Sequence, residues 1–329
     1  MNRPAQASPR PSTRWVRLAA LGLLVHVLIA PLAACAQETP QSREEAWWTG
    51  PMLANSAETL PQGHLLFEPY LYDVQTKGVD SFGSRTYLNY GLANRFTVGI
   101  IPVFGYNRVS GAANSSGVQM GDWTVQAQYR LTQFHEGSWL PTIAVQIQET
   151  LPTGKYDRLG NRPANGLGSG AYGTTIGINS QTYVWMPNGR ILRVRFNLSA
   201  TFSSRADVQG VSVYGTDADF RGHARPGTNL FADAAVEYSL TKRWVLALDL
   251  TYSHNGSTRV SGQEYLGNAD PFPPDTRLGS GTSAAFGFAP AVEYNWSPTI
   301  GLLFGVRVIP SGQRTVSSIT PAFALNVVH

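Results

Sequence analysis

The chain has 329 residues, 14% charged and 43% hydrophobic, with 25 Lys and Arg against 21 Asp and Glu. A mean hydropathy of -0.14, with no run near 18 apolar residues beyond the N-terminus, gives no reason to expect a spanning helix, and the single Cys excludes an intramolecular disulfide. The basic excess lies in residues 1–36 (Arg3, Arg10, Arg14, Arg17), so the rest is charge-balanced and nucleic acid is not expected as a partner.

Residues 1–36 read as a signal peptide. The four arginines form a basic n-region, an apolar core runs from Leu18 to Leu32, and Ala34-Cys35-Ala36 supplies a small-residue cleavage site. Leu32-Ala33-Ala34-Cys35 also resembles a bacterial lipobox, which would make Cys35 a lipidated residue. Residues 37–63 are polar with scattered apolar residues (Trp47, Trp48, Leu53, Leu60). They are expected to be a periplasmic N-terminal segment or a lumen plug, leaving 64–329 as the barrel.

Twelve alternating segments follow, near 64–75, 84–92, 95–108, 118–131, 139–150, 170–185, 190–203, 227–240, 243–256, 281–296, 299–311 and 315–328. The clearest is Trp244 to Tyr252. Trp244, Leu246, Leu248, Leu250 and Tyr252 are large and apolar, while Val245, Ala247, Asp249 and Thr251 are small or polar. Period two is a strand with two faces. Tilted by about 40°, it yields an apolar band of roughly 20 Å with an aromatic residue at each end, the form of a strand crossing an outer membrane. A soluble β-sandwich would alternate too, but has no need of paired aromatic caps or a leader.

Links between the segments alternate in length. Short ones fall at 93–94, 132–138, 186–189, 241–242 and 297–298, and long ones at 76–83, 109–117, 151–169, 204–226 and 256–280, with a short last outer link near Gly312. That alternation is the mark of an up-and-down barrel with periplasmic turns and external loops, and an even strand count puts both termini in the periplasm. The fold class is therefore all-β: a transmembrane antiparallel barrel of about 12 strands.

Faces follow from the alternation. Phe96, Val98, Ile100, Val125, Tyr129, Phe196, Leu198, Phe202, Phe286, Phe288, Leu302 and Phe304 belong to an outward set without charge. The membrane-interface aromatics are Trp123, Trp244, Tyr252, Tyr294 and Trp296. Charges fall on the other face: Glu68, Arg85, Asp122, Arg130, Arg193, Arg195, Asp233, Glu237, Asp249, Glu293 and Arg307. Lys or Arg facing the bilayer midplane costs about 2–4 kcal/mol, so this face should be the lumen. With Tyr70 and Tyr72 these residues are expected to line the path, either as a constriction setting weak ion preference or as a salt-bridged seal. On the constriction reading, Arg193→Ala would change ion preference with little effect on assembly.

Catalytic chemistry finds little support. His64, His135, His223 and His254 lie in no recognisable nucleophile motif, and there is no G-x-S-x-G, P-loop or metal-binding cluster. Asp217, Asp219 and Asp270 fall in outer loops without calcium-loop spacing, and Pro271-Phe272-Pro273-Pro274 stiffens its loop. No enzyme activity, cofactor or metal is expected.

Three stretches carry a family resemblance: Ala54-Asn55-Ser56-Ala57-Glu58-Thr59-Leu60-Pro61-Gln62-Gly63-His64 leading into Phe67-Glu68-Pro69, Glu149-Thr150-Leu151-Pro152-Thr153-Gly154-Lys155-Tyr156-Asp157, and Phe231-Ala232-Asp233-Ala234-Ala235-Val236-Glu237-Tyr238. Gly305-Val306-Arg307 and Pro321-Ala322-Phe323 add to them. Over residues 45–329 the chain resembles the outer-membrane transporter family labelled for the MetA pathway of phenol degradation. The resemblance implies a barrel for hydrophobic or aromatic solutes and brings no catalytic residues. The last strand, with Phe323, Leu325 and Val327 outward, is similar to the terminal strand that outer-membrane assembly machinery reads, although it ends in His329 rather than Phe or Trp.

The expected function is passive diffusion of small solutes, hydrophobic or aromatic compounds among them, across the outer membrane of a Gram-negative bacterium, with outer-membrane lipid and the assembly machinery as partners. Alternatives are a closed structural or adhesive barrel and an outer-membrane lipid hydrolase.

Overall fold

A computed structural model describes residues 40–265 and 275–329. The leader, Cys35, Asp270 and the proline run at 271–274 lie outside the described residues.

Twelve antiparallel strands close into a barrel. In chain order they begin with β1 (Leu65–Thr76), β2 (Val79–Ala93) and β3 (Phe96–Ile101), the last continued by β4 (Val103–Val109). A short β5 (Gln119–Met120) precedes β6 (Trp123–Thr132), followed by β7 (Thr142–Leu151), β8 (Gly173–Trp185) and β9 (Ile191–Ser203). Two strands above the wall, β10 (Ala206–Gln209) and β11 (Phe220–Arg225), come before β12 (Asn229–Ser239) and β13 (Trp244–Asn255). Two more, β14 (Arg259–Glu264) and β15 (Asp275–Gly279), come before β16 (Ser283–Ser297), β17 (Ile300–Ile309), β18 (Gly312–Gln313) and β19 (Ser318–Val328). Each wall strand pairs with its neighbour in sequence, and β1 pairs with β19 to close the ring. Closure leaves no free edge, so every wall strand finds backbone partners without water.

The alternation holds along the wall. On β13, Leu250 is 55% exposed to the membrane side while Val245 and Asp249 are fully buried toward the lumen. The aromatic caps pack as cross-strand neighbours, Trp244 on Tyr294 (centroids 4.7 Å apart) at one end and Tyr252 on Phe286 (4.8 Å) at the other. Trp296 stands edge-on to Tyr294, and Trp123 edge-on to Phe104.

Three expectations are corrected. Residues 76–83 are not a long loop. Thr76 and Val79 are register partners, and the chain reverses at Lys77-Gly78, where Gly78 takes a left-handed φ of +86°. Asp80 and Ser81 read as loop residues, but polar side chains suit a strand with a wet face. The third segment is broken at Pro102, which has no N–H to give the ladder; β2 pairs first with β3 and then with β4. The long links 204–226 and 256–280 also hold structure: β10, β11, β14 and β15 form a separate four-stranded sheet above the barrel.

Candidate functional site: the lumen and the segment that crosses it

The charged inner face is not an open ring. Residues 41–62 run through the lumen, and the wall charges grip their backbone. The segment starts beside the turns at one barrel end, where Gln41 N–H donates to the Gly189 carbonyl and Trp47 N–H to that of Lys242. Trp185 Nε1 donates to the Gln41 carbonyl (2.9 Å). Trp47 lies under Lys242 (4.9 Å to the ring centre). Trp48 instead packs inside the barrel, edge-on to Tyr183 and beneath the Arg193 guanidinium at 4.6 Å.

Higher up, two wall carboxylates accept main-chain N–H groups. Glu293 Oε2 accepts from Thr49 (2.7 Å) and Gly50 (3.1 Å). Asp249 accepts from Met52 (3.0 Å), Leu53 (3.3 Å) and Ala54 (2.9 Å). Such charge-assisted bonds contribute roughly 1.5–3 kcal/mol each, against the cost of burying the carboxylate. Arg195 donates to the Ala54 carbonyl (2.8 Å). The chain then crosses to the opposite wall, where Gln128 donates to the carbonyls of Ser56 and Glu58, both at 3.0 Å. Arg130 Nη1 bonds Glu58 Oε2 (2.8 Å). Leu60 N–H donates to Thr97 Oγ1 (2.9 Å) before the chain enters β1.

Arg193, Arg195 and Glu237 form one buried triad. Arg193 Nε donates to Glu237 Oε2 at 2.6 Å and its Nη2 reaches Oε1, and Arg195 Nε stands 3.0 Å from Oε2. Glu237 is fully buried, and the arginines are 6% and 5% exposed. Asp233, four residues before Glu237 on the same face of β12, is also fully buried. Glu68 accepts from Asn326 (3.0 Å), and Tyr70 stands edge-on to Tyr87 (5.9 Å). Arg85 pairs in register with Tyr70 and its side chain is exposed.

Asp122 sits at the mouth rather than in the bore. It holds the long outer loop, accepting from Gly154 N–H (2.9 Å) and from Ser169 N–H and Oγ (2.7 Å each). Tyr214 donates to the Ser169 carbonyl beside it. Burial, helped by Asp122, pushes the Tyr214 phenol up to about 12, so it remains a neutral donor.

A cavity of about 270 Å³ remains between the crossing segment and the wall. Of the expected path residues it touches Glu68, Tyr70, Arg193 and Arg195. Asp233, Glu237, Asp249, Glu293, Arg307, Arg85 and Arg130 lie off it. The rest of the lining comes mainly from the crossing segment, and on the wall it includes the neutral amides Asn89, Gln126, Gln128, Gln146 and Asn326, an element absent from the sequence-based set. Gln126 donates to Asn89 (2.7 Å) and accepts from Gln146 (3.1 Å) and Gln148 (2.9 Å). The signal was present: Gln126, Gln128, Gln146 and Gln148 occupy every second place, between outward residues.

Gly91 marks a close approach of the segment to the wall. A Cβ there would lie 2.0 Å from the Pro61 carbonyl oxygen and 2.8 Å from that of Leu60. Gly91→Ala is expected to cost about 1–3 kcal/mol by overpacking and to expose residues 40–63 to protease. An unchanged digestion pattern would show that the approach does not hold the segment.

His223 and Ser261 are register partners on the sheet above the barrel, with Nε2 3.0 Å from Oγ. Asp207 is the register partner of His223 on the other side, but its carboxylate meets Arg205 (3.4 Å). The third arm of a Ser–His–Asp relay is thus turned elsewhere.

No curated protein sequence matches the chain. An outer-membrane channel from Pseudomonas putida is similar in structure, with a TM-score of 0.62 at 16% identity over 84% of this chain and all of that one. A NanC porin superposes at a TM-score of 0.44 and 11% identity, covering 79% of this chain and 98% of its own. The likeness to the first is one of fold, that of a Gram-negative outer-membrane barrel. A family model described as putative MetA-pathway of phenol degradation matches residues 54–310, and the chain belongs to that family.

Proposed function

We propose that the protein is an outer-membrane channel for passive diffusion of small solutes, with residues 40–63 acting as an internal plug that sets the bore. The observation that carries this is the cavity of about 270 Å³ left beside that segment. The wall side of that cavity sets the rings of Tyr70 and Tyr87 and the amides of Asn89, Gln126, Gln128, Gln146 and Asn326 beside Glu68, Arg193 and Arg195. That chemistry suits a small molecule with an aromatic face and a hydroxyl group, in keeping with the family's link to phenol degradation. Binding is weak enough to release, and shape selects more than charge. Passage of this kind needs no catalytic step. The membrane-facing wall takes outer-membrane lipid, and the alternating last strand is the part that assembly machinery would read.

The test is liposome swelling with the refolded chain, comparing sugars, amino acids and small water-soluble phenols. Phenols are expected to enter faster than sugars of similar size. Entry by size alone would make the protein a general pore. No entry by a folded barrel would favour a sealed structural role, and labelling of Ser261 by a covalent serine probe would favour the hydrolase.

A further inference from the structure

The ladder does not stop at the barrel rim. Asn229, Asn255 and Ser283 stand side by side at the top of β12, β13 and β16, on the lumen face with Asp233 and Asp249. The strands above continue the same register. Arg225 lies opposite Arg259, and Arg259 opposite Gly279. Side chains of directly paired residues share a face, so the two arginines keep the lumen-facing phase of the asparagines. The other face of the upper sheet, with Val208, Phe220, Ala224 and Val260, is covered by Tyr156 and Tyr214. The arginine face is the open one, and Arg225 and Arg259 are both exposed.

Between the amide row and the arginine row, one row is nearly bare. It holds Gly227, Ser257 and Gly281, and Gly281 N–H donates to Ser257 Oγ (3.2 Å). A cleft of about 340 Å³ lies there, bordered by Asn229, Asn255 and Ser283. Arg314, just after β18, leans over it. Its guanidinium carbon stands 3.0 Å from where a Cβ on Gly281 would lie, so a side chain at that position would displace the cation. Among the described residues, no carboxylate lines the cleft, and Arg225, Arg259 and Arg314 form no ion pair. Two acids of the same face lie in the rows beyond the arginines and are engaged there, Asp207 by Arg205 (3.4 Å) and Asp275 by Gln263 (3.4 Å).

Like charges directly across a ladder repel. Unpaired guanidinium groups gathered at a polar cleft therefore call for an anion from outside the chain. A guanidinium fork matches a planar carboxylate with two parallel hydrogen bonds, and the asparagine amides supply donors and acceptors for neighbouring polar substituents. The cleft has the size of a small-molecule site. Farther in, the bore cavity presents the rings of Tyr70 and Tyr87. A solute that suits both places carries a carboxylate and an aromatic ring.

We propose that this cleft captures the carboxylate of small aromatic acids before they enter the bore, an inference that rests on the channel reading above. Charge then selects at the mouth and shape in the bore.

The experiment follows binding of para-fluorobenzoate to the refolded chain in neutral detergent by fluorine NMR line broadening, against empty micelles. The comparison ligand is para-fluorobenzamide, the same ring without the charge. In planar bilayers, the reversal potential under a potassium benzoate gradient reports passage. The acid is expected to bind and the amide hardly at all. Arg225→Gln with Arg259→Gln should weaken binding of the acid about tenfold, equivalent to losing one charge-assisted hydrogen bond, and should lower benzoate permeability relative to potassium. The melting temperature should stay the same or rise, because a repulsive pair is removed. If the double variant does not fold, Arg314→Gln alone serves, with a several-fold loss. Undiminished binding by the variant, equal affinity for the amide, or tighter binding of inorganic phosphate than of the acid would each overturn the assignment. A folded barrel that binds the acid yet carries no benzoate current would tell against the channel and leave the site standing.

Discussion

Replacing both Asp249 and Glu293 with alanine is expected to open the lumen. Together these carboxylates accept five main-chain hydrogen bonds from residues 49–54. Their loss leaves buried N–H groups unpaired, at about 1–3 kcal/mol for each left dry. A net loss of about 3 kcal/mol would multiply the undocked population roughly a hundredfold. Single-channel conductance and liposome swelling by sugars should both rise, with discrimination by size falling. The wall itself should persist, because neither side chain takes part in its ladder. A double variant that conducts like the parent would remove the crossing segment from control of the bore.

The second large effect is on stability. Glu237→Ala is expected to cost about 3–5 kcal/mol, because it strands two buried guanidinium groups beside each other. The readout is thermal unfolding in detergent. A change under about 1 kcal/mol would mean that water or the segment compensates the arginines. The same burial revises the expectation for Arg193→Ala. Arg193 is locked onto Glu237 and under it lies Trp48, so its removal should weaken the barrel rather than tune ion preference alone.

The wall was legible because a barrel strand carries its own instruction. On Trp244–Asn255 the alternation that assigns Leu250 outward and Asp249 inward is local, and the lumen amides Gln126 and Gln146 obey it equally. Being neutral, they carry no charge signal that sets them apart from other polar strand residues. The crossing segment was less legible, since its partners are far along the chain. Ala54 meets Asp249 across 195 residues and Thr49 meets Glu293 across 244, and no pattern within 41–62 announces them. The sheet above the barrel was hidden for another reason. Short strands such as Ala206–Gln209, rich in Gly, Arg and Ser nearby, share the composition of a solvated loop, and pairing between two separate links decides the matter.

The wall carboxylates hold Thr49, Gly50, Met52, Leu53 and Ala54 by their amide N–H groups alone. Any residue except proline supplies the same donor. Apart from Gly50, whose φ of +127° favours glycine, these hydrogen bonds are therefore blind to side-chain identity. A substitution at half-buried Leu53 can recolour the interior of the tube, from greasy to polar or from narrow to wide, while Met52 stays packed against Ala289, Leu303, Ala322 and Ala324 of the wall. One rigid cylinder thereby becomes a holder for exchangeable filters, in which new selectivity requires changes to a few side chains and none to the strands.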